Sequence, residues 1–212
     1  MILPKKFGVI GIDEVGRGPL AGPVTVSALY LKTPLKAKKE FFYNSIRDSK
    51  KINKGLRNSI FLTIRKNRKI YSDIKYAVCS RSAKYIDVYG ITKATQECID
   101  WCVNDLKRQG VPIESCMIRT DAGIRVNNVS LRQKSYIKGD ERFTEIALAS
   151  IVAKETRDRY MRALSKSNSE YAWDKNVGYG TKDHRNAIGK HGITKYHRIS
   201  YLKAFKLLDK TE

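Results

Sequence analysis

Two adjacent carboxylates, Asp13 and Glu14, end an apolar run at residues 7–12 and precede a Gly-Arg-Gly turn at residues 16–18. Carboxylate oxygens at the end of a strand attract a hard divalent cation, because such cations prefer oxygen ligands. Glycine backbone beside an arginine allows the close approach of a phosphodiester. The two features are neighbours in the chain, and together they indicate metal-dependent chemistry on a nucleic-acid backbone.

Two more acids follow apolar segments further along the chain. Asp121 comes after residues 113–119, and Asp140 comes after residues 135–138. Each acid has a simpler explanation by itself, since Asp121 suits a turn before Ala-Gly and Asp140 suits the negative charge favoured at a helix N-terminus. Together with the first acidic pair, however, they give three strand ends that carry acids, as a sheet needs in order to gather carboxylates at one edge.

Four clustered carboxylates repel one another, which raises their pKa values, and bound divalent cations remove that conflict. A ligand set made only of oxygen favours Mg²⁺ or Mn²⁺ over zinc. Two such ions, about 3.5–4 Å apart, can activate a water molecule and stabilise the leaving oxygen in phosphodiester cleavage. The cysteines lack the spacing of a zinc site, so we expect buried free thiols. They are Cys79, Cys98, Cys102 and Cys116.

The chain is strongly basic, with 42 Lys and Arg residues against 21 Asp and Glu and a formal net charge of +21. Such an imbalance indicates a polyanionic partner. Because the basic residues are spread through the folded segments, nucleic acid is favoured over a membrane surface or a merely solubilising charge. A hydrophobic fraction of 42% is sufficient for a core. No apolar run is long enough to span a bilayer, so we expect a soluble, cytoplasmic protein.

The elements that must position these residues follow from the apolar periodicity and the turn signals. Asn53 is a candidate helix N-cap, and Gly110 is a candidate helix terminator. Strands followed by alternating strands and helices predict a mixed α/β sheet with helices on its faces. The predicted strands cover residues 7–12, 24–32, 69–78, 113–119 and 135–138, and the predicted helices cover 53–67, 82–88, 92–109 and 143–164, with two short pieces around Ala187 and Leu202.

Motifs along nearly the whole chain resemble those of the ribonuclease HII family, in the family's order. The family usually has Asp-Gly directly after its third acidic strand, whereas residues 120–123 read Thr-Asp-Ala-Gly here. The end of that strand still points to Asp121. The similar stretches are residues 11–23 (GIDEVGRGPLAGP), 48–50 (DSK), 138–140 (KGD), 149–154 (ASIVAK), 156–159 (TRDR), 178–181 (GYGT) and 197–201 (HRISY).

The resemblance implies an RNase H-like fold, in which a five-stranded mixed sheet is flanked by helices and followed by a helical C-terminal region. We expect a catalytic domain over residues 1–165 and a C-terminal helical region over residues 166–212 that packs on it. The resemblance also implies endonucleolytic hydrolysis of the RNA strand in RNA–DNA hybrids, and incision on the 5′ side of a single ribonucleotide in duplex DNA. The products would carry 3′-hydroxyl and 5′-phosphate ends. We expect a monomer that serves ribonucleotide excision repair.

The same resemblance assigns roles to individual residues. The catalytic acids, which would bind two Mg²⁺ or Mn²⁺ ions, are Asp13, Glu14, Asp121 and Asp140. The residues that would read the ribose at the junction are Gly16, Arg17, Gly18 and Tyr179. The candidate phosphate contacts, each with a solvated side chain as its alternative, are Ser49, Lys50 and Lys182. His184 either assists proton transfer or product release, or packs at a helix start.

Two other functions stay open on the sequence alone. A non-catalytic nucleic-acid-binding module would carry the same charge, but acids at all four expected places argue against it. Another nuclease of the same broad fold, ribonuclease HIII-like or resolvase-like, would share the acids. The arginine between two glycines favours ribonuclease HII, because a ribonuclease HIII resemblance would place a different residue there. Cleavage at a single embedded ribonucleotide separates these two enzymes.

Overall fold

Five strands form one mixed sheet in the order β3-β2-β1-β4-β5. The computed structural model describes residues 8–32, 53–70, 73–121 and 123–204. β2 pairs antiparallel with both β1 and β3, whereas β4 runs parallel to β1 and β5 parallel to β4. The predicted five-stranded mixed sheet is thus confirmed. The strands are β1 (Val9–Val15), β2 (Val24–Leu31), β3 (Ile74–Arg81), β4 (Met117–Asp121) and β5 (Gln133–Tyr136).

Helices flank the sheet and make up most of the C-terminal region. They are α1 (Lys54–Ile70), α2 (Ala83–Tyr89), α3 (Ile91–Arg108), α4 (Gly139–Arg142), α5 (Thr144–Ser165), α6 (Trp173–Asn176), α7 (Lys182–His191) and α8 (Ile199–Ala204). The predicted N-cap of α1 is confirmed, because Asn53 Oδ1 accepts a 2.9 Å hydrogen bond from the amide of Leu56. None of the helices in the described ranges is both long and apolar enough to cross a membrane.

Four predicted strands have different bounds in the structure. β1 continues past residue 12 to Val15, so Asp13 and Glu14 lie within it, and β5 ends at Tyr136 rather than at residue 138, so Asp140 does not directly follow a strand.

Residues 69–78 do not form one strand, because α1 continues to Ile70 through a run of lysine and arginine, which are good helix formers. β3 instead spans the register from Ile74, opposite Leu31, to Arg81. The strand predicted at residues 113–119 begins later, because Ile113–Ser115 form a 3₁₀ turn before β4.

The strands alternate between two apolar layers. Ile10 and Ile12 of β1 pack on the side of α3, where the four cysteines are buried as free thiols, as predicted. Val9 packs with α1 and α5 on the opposite face. Gly11 shares the Val9 face, and a β-carbon at this position would collide with the backbone of Glu145 and Ile146. The absence of a side chain at Gly11 therefore lets α5 contact β1 backbone to backbone.

The C-terminal helices bury their own apolar cluster against residues that follow the glycine-rich turn. Trp173, Tyr171 and Leu202 pack with Leu20 and Ala21 in this cluster. Backbone hydrogen bonds connect the same segments, since the amide of residue 20 donates to Gly178 (2.8 Å) and its carbonyl accepts from the amide of residue 198 (2.8 Å). The segment that follows the glycine-rich turn is thus in contact with the C-terminal part of the described chain.

We expect Gly11→Ala to lower the free energy of unfolding by about 3 kcal/mol, because the added methyl group forces α5 away from β1. Gly189→Ala is the matched control. Nothing lies within 4 Å of a β-carbon at this exposed position of α7, so the same substitution should stabilise by about 0.5–1 kcal/mol. Urea unfolding of both variants measures the difference, and a Gly11→Ala protein as stable as the parent would contradict the backbone contact.

Candidate active site

Asp13 is a buried carboxyl near the end of β1, with 8% of its surface exposed. Its Oδ1 atom accepts a 2.9 Å hydrogen bond from the amide of Glu14. Burial raises the pKa of Asp13 to about 8, and the nearby charges of Glu14 and Asp121 add to the rise, while a hydrogen bond from the Ser150 side chain on α5 opposes it. The fold therefore disfavours the charged form of the Asp13 carboxyl group.

Glu14 lies one residue further along, at the boundary between the interior and the surface. Burial is the main cause that raises its pKa, with a smaller rise from Asp121, and Arg17 opposes both through an ion pair of 3.4 Å to Oε1. Its other oxygen, Oε2, is buried and has no hydrogen-bond partner among the described residues. A buried carboxylate oxygen without a partner carries a desolvation penalty, and a bound ligand would remove this penalty.

Asp121 reaches the same place through strand pairing. β1 and β4 are parallel, and Ile12 lies opposite Thr120, so the next residue on each strand is an acid. Asp121 Oδ1 accepts a 2.8 Å hydrogen bond from the amide of Gly139, the residue before Asp140. Asp140 is half-buried in the first turn of α4. The sheet thus gathers Asp13, Glu14 and Asp121 into one electrostatic cluster. Asp140 is next to this cluster in the chain, because it directly follows Gly139, which is hydrogen-bonded to Asp121.

The donor set fits a hard divalent cation, although the described residues contain no group of three or more acids, histidines or cysteines already close enough to hold a metal ion. Asp121 is engaged by Gly139, and Glu14 by Arg17. Three observations support the fit: all donors are oxygens, Glu14 Oε2 is unsatisfied, and the pKa of Asp13 is raised. Binding of a cation would reverse the rise in pKa and satisfy the free oxygen.

The glycine-rich turn lies directly beyond the acids. Gly16 has a φ of +86°, a left-handed conformation that glycine adopts without strain, and it is buried. Gly18 is exposed, and nothing lies within 4 Å of the position that its β-carbon would take. The Arg17 side chain is 43% exposed beside Glu14. The turn therefore offers open backbone and a cation next to the carboxylates.

Tyr179 comes close to this turn from the other end of the chain. The carbonyl of the preceding Gly178 accepts hydrogen bonds from the amides of Leu20 (2.8 Å) and Ala21 (3.2 Å), which connects the two loops. The tyrosine ring is 41% exposed. Lys182, also exposed, is the first residue of α7. Ser49 and Lys50 lie outside the described residues, so their predicted phosphate contacts remain predictions.

His184 is completely buried and forms a pair with His197. Its Nδ1 atom donates to the carbonyl of Tyr179 (2.9 Å), so its Nε2 atom is the acceptor for Trp173 Nε1 (3.1 Å). His197 Nε2 then donates to His184 Nε2 (3.2 Å), while its Nδ1 accepts from the amide of Thr194 (3.0 Å). Both rings are neutral in this network. The geometry matches a packed histidine at a helix start rather than a proton donor at the acids.

Arg119, a basic residue within β4, is accommodated by an acid and an aromatic ring. Its guanidinium forms a 2.5 Å ion pair with Glu145, which is buried in the first turn of α5, and lies over the Phe143 ring. Sequence reasoning missed two further arginines, Arg157 and Arg198, which are buried beneath the loops of the site. Both stand within stretches that matched family motifs, but nothing in their spacing showed that their side chains turn inward.

Comparison with known proteins gives one consistent result. The family model described as Ribonuclease HII matches residues 10–204. A Ribonuclease HII of Wolbachia sp. subsp. Drosophila simulans (strain wRi) is 40% identical over 198 residues, which cover 93% of this chain and 91% of that protein. A Ribonuclease HII of Clostridium botulinum (strain Hall) is 37% identical over 197 residues, which cover 93% of this chain and 68% of that protein.

Solved structures share the fold at lower identity. The ribonuclease H2 of Pyrococcus horikoshii OT3 has a TM-score of 0.73 at 21% identity and covers 96% of this chain and 98% of its own. Bst-RNase HIII, solved in complex with Mn²⁺, has a TM-score of 0.71 at 20% identity, with 96% and 70% covered. The RNase HII solved with PCNA from Archaeoglobus fulgidus has a TM-score of 0.68 at 23% identity, with 90% and 93% covered. They confirm the RNase H-like architecture.

We expect Asp13→Asn to stabilise the metal-free protein at pH 8 by about 3 kcal/mol, because the raised pKa makes the charged form costly in the fold. The folded state binds the proton more tightly than the unfolded state, so the parent loses stability as pH rises from 3.8 towards 8, whereas the variant does not. Urea unfolding in a chelator at pH 4 and pH 8 measures this difference.

The matched control for this prediction is Asp183→Asn, on the exposed first turn of α7, which should change stability little at either pH. Adding Mg²⁺ or Mn²⁺ should then stabilise the parent more than the Asp13→Asn variant. A variant that is less stable than the parent at pH 8 in chelator would contradict the uncompensated burial of Asp13.

Acid should weaken the histidine network. Burial, together with the neighbouring His184, lowers the pKa of His197 from 6.5 to about 4, so the unfolded state binds more protons in that window. Stability is therefore fully present above pH 6.5 and falls by up to about 3 kcal/mol as pH drops towards 4. Unfolding measured across this range should show a smaller slope for His197→Gln and an unchanged slope for His191→Gln, which alters an exposed histidine.

Proposed function

We propose, for a chain that belongs to the ribonuclease HII family, that it incises duplex DNA on the 5′ side of a single ribonucleotide. Members of this family are nucleases, and membership implies endonucleolytic cleavage of RNA in RNA–DNA hybrids. The observation that carries this proposal is the juxtaposition of two features. Asp13 is a buried acid with a raised pKa, Glu14 has a buried oxygen without a hydrogen-bond partner among the described residues, and the open Gly-Arg-Gly turn at residues 16–18 follows them directly.

We propose that the four acids hold two Mg²⁺ or Mn²⁺ ions; these acids are Asp13, Glu14, Asp121 and Asp140. Bound ions would supply an activated water and stabilise the leaving oxygen, so that the products carry 3′-hydroxyl and 5′-phosphate ends. The chain's own part is to hold the carboxylates at the ends of β1 and β4 in a largely buried environment. Gly139 holds one oxygen of Asp121 through a 2.8 Å hydrogen bond.

Recognition of the ribose falls to the two loops beside the acids. The 2′-hydroxyl is what distinguishes RNA from DNA at one position, so a reader needs directed polar groups at close range. The open backbone at Gly18 and the exposed ring of Tyr179 meet this need, and Arg17 adds a cation for the adjacent phosphate. The more distant phosphate contacts that we propose are Ser49, Lys50 and Lys182.

The remaining expectations belong to the same proposal. We propose that the protein acts as a monomer in the cytoplasm and serves ribonucleotide excision repair. Residues 1–165 would form the catalytic domain, and residues 166–212 the helical region that packs on it. The apolar cluster that joins Leu20 and Ala21 to Trp173 supports this packing.

We expect cleavage of a DNA duplex that holds one ribonucleotide, on its 5′ side, in the presence of Mg²⁺ or Mn²⁺ and not in a chelator. Asp13→Asn should reduce the rate by a factor of about 10³ or more, because it removes a carboxylate from the metal-binding set. Asp183→Asn, which changes an exposed acid, should leave the rate within about twofold of the parent. Denaturing gels of end-labelled strands measure the position and rate of incision.

Other outcomes would select other functions. Tight binding without any cleavage would indicate a non-catalytic nucleic-acid-binding module. Cleavage of continuous RNA–DNA hybrids, but not of the single ribonucleotide, would keep the metal-dependent mechanism and refute the reading of a junction by the turn and Tyr179. That second pattern would favour the ribonuclease HIII-like alternative.

A further inference from the structure

Two arginines from distant parts of the chain are buried beneath the proposed ribose-reading loops. Arg157 lies in α5, and Arg198 directly precedes α8; their exposed surface is 1% and 0%. Every hydrogen bond that their guanidinium groups make within the described ranges ends on a backbone carbonyl, not on a carboxylate. This is uncommon, since buried arginines are usually paired with acids.

Arg198 holds the turn itself. Its Nη2 atom donates to the carbonyls of Gly16 (2.6 Å) and Gly22 (2.9 Å), and its Nη1 atom donates to the carbonyl of Arg17 (2.8 Å). The Tyr201 hydroxyl donates to the same Arg17 carbonyl at 2.7 Å. A planar guanidinium can span these oxygens at once, whereas a lysine ammonium is a single point of charge on a flexible stem.

Arg157 connects the turn segment to the tyrosine loop. It donates to the carbonyls of Pro23 (2.9 Å), Ala21 (3.1 Å) and Val177 (2.9 Å). Val177 is β-branched and has a φ of +45°, a strained conformation that persists only when its surroundings enforce it. The Arg157 guanidinium also lies 5.9 Å from the centre of the Tyr179 ring. One side chain thus fixes the backbone just before Tyr179 and the end of the turn segment.

The two arginines decide what the turn presents to the outside. With the carbonyls of Gly16 and Arg17 drawn inward, the amide groups of the turn are left for an external acceptor, and those of Arg17 and Gly18 donate no hydrogen bond to any described residue. Gly16 must lack a side chain, because a β-carbon there would collide with Arg157. Because the partners are carbonyls, no carboxylate among the described residues is hydrogen-bonded to either guanidinium beneath the surface that we propose to meet phosphates.

The cost of this arrangement is visible in the electrostatics. Burial lowers the pKa of Arg198 to about 10, and the charge of Arg157 contributes to the decrease, whereas Tyr201 opposes it. Burial likewise lowers the pKa of Arg157. Two neighbouring like charges, which Asp158 and Asp87 offset only in part, destabilise a fold unless the groups that they hold are needed in one geometry.

We propose that Arg157 and Arg198 are positioning residues for ribose recognition, which act by fixing the turn at residues 16–18 and the loop that carries Tyr179 rather than by touching the substrate. This inference rests on the proposed function. It predicts that retaining the positive charge is insufficient, because the forked hydrogen bonds to several carbonyls define the geometry.

The test compares Arg198→Lys and Arg157→Lys with Arg57→Lys as the matched control. Arg57 is also largely buried, but it binds the carboxylates of Glu155 (2.7 Å) and Asp158 (3.3 Å), away from the turn. We expect each of the first two variants to lose at least tenfold in kcat/KM on a single-ribonucleotide duplex, and at most threefold on a continuous hybrid, which offers many ribose groups. The control should lose similarly little on both substrates, although its melting temperature falls.

Amide hydrogen exchange gives a readout that does not depend on activity. Exchange at residues 16–18 should become faster in both lysine variants and stay unchanged in Arg57→Lys. If either lysine variant fails to fold, Tyr201→Phe removes one donor to the Arg17 carbonyl and should shift exchange and substrate preference in the same direction, by about two- to fivefold.

Unchanged exchange at residues 16–18 would overturn the positioning role, whatever the activity. Equal losses on the two substrates would overturn its link to ribose recognition. If the parent protein cleaves neither substrate, the proposed function has failed, while the exchange result still supports or refutes the positioning of the turn.

Discussion

The site depends on acidic and basic side chains that come from distant parts of the chain and lie around one turn without pairing with each other. Asp13 and Glu14 lie on one side of the glycine-rich turn, and Arg157 and Arg198 lie beneath it. If these groups formed ion pairs, the carboxylates would be satisfied and would have little affinity for a cation. Backbone carbonyls instead accept every hydrogen bond described for the two guanidinium groups. Burial raises the pKa values of both acids, and one oxygen of Glu14 has no hydrogen-bond partner among the described residues. This arrangement leaves the acids available for the divalent cations that we propose, and the turn available for the phosphates that we propose.

β1 makes this arrangement possible because its two faces pack against different parts of the protein. Ile10 and Ile12 bury one face in the core, while Gly11 on the other face admits the backbone of α5. That close contact brings Ser150 of α5 within hydrogen-bonding reach of Asp13. The same helix carries Arg157 a few turns later, so one helix sets both the environment of the acids and the support of the turn. A shift of α5 would disturb the two together.

The sequence was informative wherever a local pattern determines the structure. Asn53 at the start of α1 and the strand-ending acid Asp121 follow from short-range rules of capping and strand composition. The predicted boundaries were wrong where a helix and a strand are neighbours in the chain. Residues 69 and 70 belong to the basic helix α1 rather than to β3, because pairing with β2 starts only at Ile74. The inward arginines could not be predicted, because an arginine in a helix or loop is exposed by default and its partners here are carbonyls up to 182 positions away in the sequence.

The supporting contacts also connect the C-terminal helices to the proposed recognition site. Arg198 can reach the carbonyl of Gly16 only if the chain before α8 is held in place, and this segment is held by the Trp173 cluster and the neutral pair of His184 and His197. His184 in turn holds the carbonyl of Tyr179. The turn at residues 16–18 is thus fixed from the C-terminal part of the described chain, and the Tyr179 loop both by His184 and by the amides of Leu20 and Ala21. The geometry of the proposed recognition loops therefore depends on the folding of the C-terminal region. A substitution in the buried histidine and arginine network should change the conformation of the turn even when all four acids are intact.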